Sequence, residues 1–229
     1  MVKPLVVGFD LDLTLVDSRP GIAATYRALS ESTGVYIDAD GAVTRLGPPL
    51  EVELGLWFPS DQIDAMGDLF RQLYPAHAIT PSPATPGAAD AIAAVRARGG
   101  RVVVITGKYE PNARLHLQHL GFAVDAVVGW AWAEGKTEAM LEHGVGIYLG
   151  DHPDDMVAAV DAGAVAIGVS TGEHDAAELA AAGTARAAAM SAGWSPRYTS
   201  TPWVNIASTL PSAQAQPMTS STARPRWPR

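Results

Sequence analysis

The chain contains no cysteine. That removes disulfides, thiol nucleophiles and thiolate metal ligands from any account of its chemistry. Charged residues are also sparse, at 17% of 229 residues, and their balance is negative, with a formal charge of −8 and a pI near 5.1. An acidic chain of this kind is a poor match for a nucleic-acid backbone, so no nucleic-acid partner is expected. No apolar run approaches the roughly 18 residues of a membrane span, so no membrane partner is expected either. The N-terminus lacks a secretory pattern, because Lys3 is followed at once by a short apolar run and then by Asp10. A soluble, cytoplasmic protein is the expectation. The length fits one domain, or one domain with an insertion, and is ample for a sizeable core.

What is present begins with Val6-Val7-Gly8-Phe9-Asp10-Leu11-Asp12-Leu13-Thr14. A short apolar run rich in branched residues reads as a buried strand of a parallel sheet. Two carboxylates, Asp10 and Asp12, stand at its exit, and ligands of such sheets bind outside the carboxyl ends of the strands. A single Asp after a strand is more often a turn former or a helix cap, so the pattern must be judged with the rest of the chain.

A helix is predicted from Pro20 to Thr33, with Gly34 as its stop. Further helical segments follow near Ala39–Leu46, Leu50–Leu56 and Asp61–Tyr74, separated by Gly47-Pro48-Pro49 and Phe58-Pro59-Ser60. No strand interrupts them, so residues 18–85 read as a small helical insertion. It closes on the proline-rich stretch from Thr80 to Gly87, a stiff linker. Its functional reading is a lid, and the plainer one is a packing module.

From Pro86 the pattern alternates: helix Ala88–Arg98, strand Arg101–Ile105, helix Pro111–Leu120, strand Val124–Val128, helix Thr137–His143, strand Gly146–Leu149, helix Pro153–Ala162, strand Val165–Val169. This alternation implies an α/β fold, a Rossmann-like parallel sheet with right-handed crossovers. Residues 1–17 and 86–183 form its core, interrupted by the inserted helical cap. The last acidic residue is Glu178. From there no closing strand and helix are evident, and residues 184–229, rich in Ala, Ser, Thr, Pro and Arg, read as an irregular or disordered tail.

Three other strand or helix ends carry polar residues suited to chemistry. They are Thr106-Gly107-Lys108, Gly135-Lys136, and Gly150-Asp151-His152-Pro153-Asp154-Asp155. With Asp10-Leu11-Asp12-Leu13-Thr14 they make four motifs in order, and the chain resembles the haloacid dehalogenase superfamily, in the branch similar to phosphoglycolate phosphatases. The resemblance covers about residues 5–178. It implies a phosphatase acting on a small phosphorylated metabolite. Asp10 would be the nucleophile and Asp12 the acid and base. Thr106, Gly107 and Lys136 would bind the phosphoryl group. Mg²⁺ would be held by the side chains of Asp10 and Asp151, the backbone carbonyl of Asp12, and Asp155 directly or through water.

The physical reading agrees. Four carboxylates gathered by neighbouring strands cannot all stay ionised without compensation, and a hard divalent cation with oxygen ligands supplies it. Helix capping accounts for one Asp per helix, not for Asp on two strands. Lys108 reads as a surface cation, Thr14 and His152 as loop residues near the site. Arg19, Arg45, Arg71 and Tyr74 are candidates to meet an anionic substrate, with exposed helix positions the commoner fate of such residues. One departure is Leu13, where the resemblance expects Gly, the residue that readily takes positive φ. The rival functions are a sugar phosphomutase, a dehalogenase, a phosphonate hydrolase and an inactive phosphate-binding scaffold. The dehalogenase would not need Asp12. The phosphonate hydrolase would need a cap lysine, and no lysine lies between Lys3 and Lys108.

Overall fold

The computed structural model describes residues 4–183 and the backbone of residues 186–188. Its centre is a parallel sheet of β1 (Val6–Phe9), β2 (Arg101–Ile105), β3 (Ala126–Val128), β4 (Ile147–Gly150), β5 (Val165–Val169) and β6 (Arg186–Ala188), in the order β3-β2-β1-β4-β5-β6. The chain winds outward from β1 in one direction, then returns to lay β4, β5 and β6 on the other side. The β1–β4 border is therefore where the winding reverses, and the crevice at its carboxyl end is the expected ligand position. Phe9 pairs in register with Val104 on one side and Leu149 on the other, so the residues leaving β1, β2 and β4 emerge at one level.

The near-continuous apolar strands follow from burial on both faces. Val7 and Phe9 of β1, Val102 and Val104 of β2, and Ile147 and Leu149 of β4 pack with α5 (Ala88–Arg96) and α6 (Glu110–His119). The alternate residues Val6, Val103, Ile105 and Tyr148 pack with α7 (Glu134–His143), α8 (Pro153–Asp161) and α9 (Ala176–Ala181). Gly8 leaves room for the Tyr148 ring, since a Cβ there would lie 2.6 Å from Tyr148 Cδ2.

Between β1 and α5 the chain forms α1 (Arg19–Thr33), α2 (Ala39–Ala42), a 3-10 turn (Val43–Arg45), α3 (Leu50–Leu54) and α4 (Ile63–His77). This layer has an apolar cluster of its own, centred on Tyr26, Leu29, Leu54, Phe70 and Tyr74. Gly34 ends α1 with φ 71°, as its sequence position predicts. Helix α4 runs one turn beyond the predicted end at Tyr74, because Pro75 sits in the last turn and forfeits only one hydrogen bond there.

Two sequence expectations change. A closing helix and strand do exist: α9 and β6, the latter paired in parallel with β5. Helix α9 has six residues and one buried apolar side chain, Leu179, too few to show a helical period, and its signal is the capping pair Asp175 and Glu178. Apart from the backbone of 186–188, the predicted irregular tail lies outside the described residues. Helix α7 also begins earlier than predicted, at Glu134 rather than Thr137, which puts Lys136 in its first turn. Its N-cap position is Ala133 at φ 46°, which carries none of the side-chain oxygens that mark a helix start.

Candidate active site

Asp10 leaves β1 with its amide donating to Leu149 O at 2.8 Å, which fixes it between β1 and β4. Asp151 leaves β4, and Asp155 lies one turn into α8. One oxygen from each of Asp10, Asp151 and Asp155 lies within 4.8 Å of the others, and all three are buried. The Lys136 ammonium reaches into this group from α7, 3.1 Å from Asp10 Oδ1 and 2.5 Å from Asp155 Oδ1. Thr14 donates from Oγ1 to Asp151 Oδ1 at 3.0 Å. The sequence candidates Asp10, Asp151, Asp155 and Lys136 are thus brought together, and Thr14 joins them.

Two small residues make the packing possible. A Cβ at Gly150 would lie 2.3 Å from Asp155 Oδ2, and one at Gly172 would lie 2.0 Å from Asp151 Oδ2. Gly150 belongs to the recognised motif. Gly172, in the turn after β5, carries no signal in the sequence, because its role is only to leave space.

The loop from β1 needs a left-handed residue at position 13, and Leu13 supplies it at φ 58°. For a residue with a Cβ this costs about 1–2 kcal/mol. The conformation is held by Leu13 N donating to Val16 O at 2.7 Å, by Thr171 Oγ1 donating to Leu13 O, and by burial of the leucine side chain. The Leu-for-Gly departure therefore leaves the backbone path intact.

Asp12 points elsewhere. Its Oδ1 lies 3.0 Å from the Lys108 ammonium. Lys108 is not the surface cation its sequence suggests. Its side chain is only 8% exposed and its ammonium sits 4.7 Å from the centre of the Tyr74 ring. Tyr74 in turn shares a 2.8 Å hydrogen bond with His116 Nε2 on α6. The signal was weak because the three residues come from separate stretches, and only the fold makes them neighbours. Thr106 is buried at the end of β2, with its Oγ1 accepting from Lys108 N at 3.2 Å. Gly107 follows it, exposed to the same cavity.

His152 caps α8, its Nδ1 accepting from Asp154 N at 3.1 Å, and the Asp155 carboxylate returns a contact to His152 N at 3.3 Å. Asp155 thus serves the helix end and the acidic group with its two oxygens. Arg19 is tied to Asp17 and does not line the cavity, whereas Arg45, Arg71 and Tyr74 do.

The electrostatics follow from burial. Desolvation pushes the Asp10 carboxyl up to about 7 against the pull of Lys136. Asp151 is driven well above the carboxylate range by burial and by its neighbours Asp10 and Asp155. Burial, the largest influence, would raise Asp12 too, but Lys108 together with Ser18 and His116 holds it below its usual value. Lys136 is pressed down by burial, yet Asp10 and Asp155 lift it well above the usual lysine range. With all groups ionised, the carboxylates of Asp10, Asp12, Asp151 and Asp155 have, among the described residues, the ammonium groups of Lys136 and Lys108 as their ion-pair partners. The two negative charges left over equal the charge of one divalent cation. Clustered oxygen donors with that deficit fit Mg²⁺.

Above this floor lies a cavity of about 220 Å³, roofed by the α1–α4 layer, including the loop of residues 46–49. Among the described residues no helix is long and apolar enough to cross a membrane.

Residues 7–169 match the family model for haloacid dehalogenase-like hydrolases, and the chain belongs to that family. It is 33% identical over 195 residues to the phosphoglycolate phosphatase of Rhodospirillum rubrum, covering 74% of this chain and 80% of that protein. It is 30% identical over 183 residues to the tyrosine-protein kinase PtkA of Mycobacterium tuberculosis, covering 74% of this chain and 61% of that protein. The chain thus spans only part of the length of the PtkA relatives. Among solved structures, a predicted phosphatase from Clostridium acetobutylicum superposes with a TM-score of 0.68 at 25% identity, covering 80% of this chain and 93% of that one.

Proposed function

We propose that the chain is a Mg²⁺-dependent phosphatase that hydrolyses a small-molecule phosphate monoester through an aspartyl-phosphate on Asp10. The observation that carries this is the placement of Asp10. It stands at the carboxyl end of the central strand, with Lys136 at 3.1 Å and Asp151 and Asp155 beside it. The phosphatase names of two similar proteins support the reaction class.

The steps assigned to the chain are these. Lys136, Thr106 Oγ1 and the Gly107 amide orient the phosphoryl oxygens and meet the charge that grows on them. An oxygen of Asp10 attacks phosphorus, and the ester P–O bond breaks. Asp12 gives up its pairing with Lys108 as substrate enters and takes up a proton from solvent, which it then passes to the leaving oxygen. Water then attacks the phosphorus of the aspartyl-phosphate, giving its proton to the Asp12 carboxylate, and phosphate leaves with Asp10 restored. Asp10, Asp151, Asp155 and the carbonyl of Asp12 would hold Mg²⁺. When bound, the ion offsets the repulsion between the anionic nucleophile and the anionic ester. The α1–α4 layer would act as the cap, closing over the ester and excluding water.

The test is a panel of phosphate esters assayed for released phosphate with Mg²⁺, followed by acid quench and mass analysis. The reading expects phosphate release that a chelator stops and Mg²⁺ restores, with one phosphoryl group on the peptide containing Asp10. An isomerised sugar phosphate without free phosphate would make the protein a mutase. Phosphoryl transfer to protein tyrosine, the activity named for PtkA, would put a different acceptor in place of water. Binding of phosphate and Mg²⁺ with no turnover on any ester would leave only a scaffold.

A further inference from the structure

The roof of the cavity is aromatic. Tyr26 and Phe70 line it from the helical layer, and Tyr109, Trp130 and Trp132 from the loops after β2 and β3. Trp132 stands beside the floor, with the Lys136 ammonium 5.9 Å from its ring centre and the His152 ring 5.6 Å away. Trp130 is 56% exposed at φ 57°, its backbone held in a conformation disfavoured for a bulky residue. The Arg71 guanidinium lies 4.5 Å from its ring centre and the Tyr109 ring stands edge-on to it.

The cations of the roof are already matched. Arg45 forms a two-point pair with Glu53, at 2.6 and 3.2 Å. Arg71 is paired with Glu51. Both arginines and both glutamates line the cavity. On the roof itself, a carboxylate on the substrate beside the phosphate would thus find both guanidinium groups already paired, and the cation released at the site is Lys108, when Asp12 leaves it. A flat, uncharged ring would find aromatic faces and edges at which to pack.

Resting on the phosphatase reading above, we propose that the leaving group of the substrate is a neutral aromatic alcohol, a small molecule with its ring packed against Trp132 and the aromatic lining of the cavity. A short carboxylated alcohol, as in phosphoglycolate, would leave the aromatic lining uncovered.

The experiment compares 2-naphthylmethyl phosphate with 2-phosphoglycolate on the full chain with Mg²⁺. Both leaving groups are aliphatic alcohols, so a preference reports chiefly recognition rather than ease of departure. The expected ratio of kcat/KM is at least tenfold in favour of the aromatic ester. Trp132→Leu should bring that ratio toward one. Glu51→Gln with Glu53→Gln, which removes the glutamate partners of both guanidinium groups and leaves Arg71 with only the exposed Asp68, should move it toward phosphoglycolate. Calorimetric binding of 2-naphthylmethylphosphonate, which cannot be hydrolysed, tests the roof without turnover. Binding without hydrolysis of any ester would overturn the phosphatase reading and leave the aromatic site standing. Hydrolysis of phosphoglycolate as fast as or faster than the aromatic ester would overturn the aromatic site and leave the phosphatase standing. Faster hydrolysis of a phosphotyrosyl peptide than of the free aromatic ester would overturn the small-molecule assignment.

Discussion

The floor and the roof of the cavity are built on opposite terms. On the floor, buried carboxylates carry more charge than two lysines can balance, and each sits at a strand end or in the first turn of a helix. On the roof, each arginine is matched by a glutamate and the remaining lining is largely aromatic or aliphatic. On the floor, burial raises Asp10 and Asp151 against the pull of Lys136, whereas Asp12 beside Lys108 is held down. The roof is satisfied. A floor of this kind suits ion and phosphate chemistry, whereas a balanced roof suits the part of a substrate that does not react. Chemistry and selectivity are thus assigned to different elements, and each can be disturbed without the other.

The largest effect is expected on the floor. Asp10→Asn removes the proposed nucleophile while keeping its shape, and should lower turnover by about 10⁴-fold or more. Folding should survive, since Asn takes no buried charge into the cluster. Phosphate release and a urea melt on the same preparation check both halves. Activity within tenfold of the parent would rule out covalent catalysis by this residue.

Lys136→Met comes next. It should lower kcat by about 10²- to 10³-fold, as loss of a donor to the developing phosphoryl charge does elsewhere. Here it also strands Asp10 and Asp155, from which it is now 3.1 and 2.5 Å away. Leaving buried charges unpaired costs about 3–5 kcal/mol. A denaturant midpoint that falls without Mg²⁺ and recovers with it would show that the lysine and the ion relieve the same repulsion. A midpoint unchanged in both conditions would contradict the charge deficit drawn from the geometry.

Gly150→Ala probes the same cluster by volume rather than charge. Its Cβ would lie 2.3 Å from Asp155 Oδ2, so the carboxylate must move away from Lys136. Overpacking of this sort costs about 1–3 kcal/mol. The variant should need more Mg²⁺ to reach half-maximal activity, read from a metal titration, and an unchanged titration would mean that Asp155 has room to spare.

The floor could be read from the chain because its residues are fixed by topology. Asp10 and Asp12 leave one buried strand, Asp151 leaves its neighbour, and the strands themselves are plain apolar runs. Lys136 was found from its Gly135 context even though its helix begins three residues earlier than the pattern suggests. What the chain hides is contact between distant loops. Lys108 looks like a surface lysine until β2 and α4 bring it between Asp12 and Tyr74. Thr171 and Gly172 act by one hydrogen bond and by an absent side chain, and neither leaves a periodic trace. The roof follows the same rule. Pairing of Arg45 with Glu53 spans eight residues and that of Arg71 with Glu51 twenty, so neither falls at a helical spacing that could have announced it.

The smallest effect joins the two regions. Tyr74 on α4 and His116 on α6 form a buried bond between the helical layer and the core, at 2.8 Å. Burial, and then the charge of Lys108, lower the His116 pKa from 6.5 to about 4. Its other ring nitrogen has no hydrogen-bond partner among the described residues. In the unfolded chain the imidazole takes up a proton below about 6.5, whereas in the fold it stays neutral until near 4. Between these values the unfolded state binds more protons, so stability rises with pH through this window and is lost as pH falls through it. The loss should be about 2 kcal/mol between pH 7 and pH 5. Urea midpoints at the two pH values measure it, and His116→Gln isolates it, because the carboxylates of the floor titrate in both proteins and cancel in the difference. Tyr74→Phe should cost about 1 kcal/mol at pH 7, the value of one buried hydrogen bond, while leaving the ring under Lys108. If His116→Gln keeps the full pH slope, the acid sensitivity belongs to the floor, and the bond between layer and core plays no part in it.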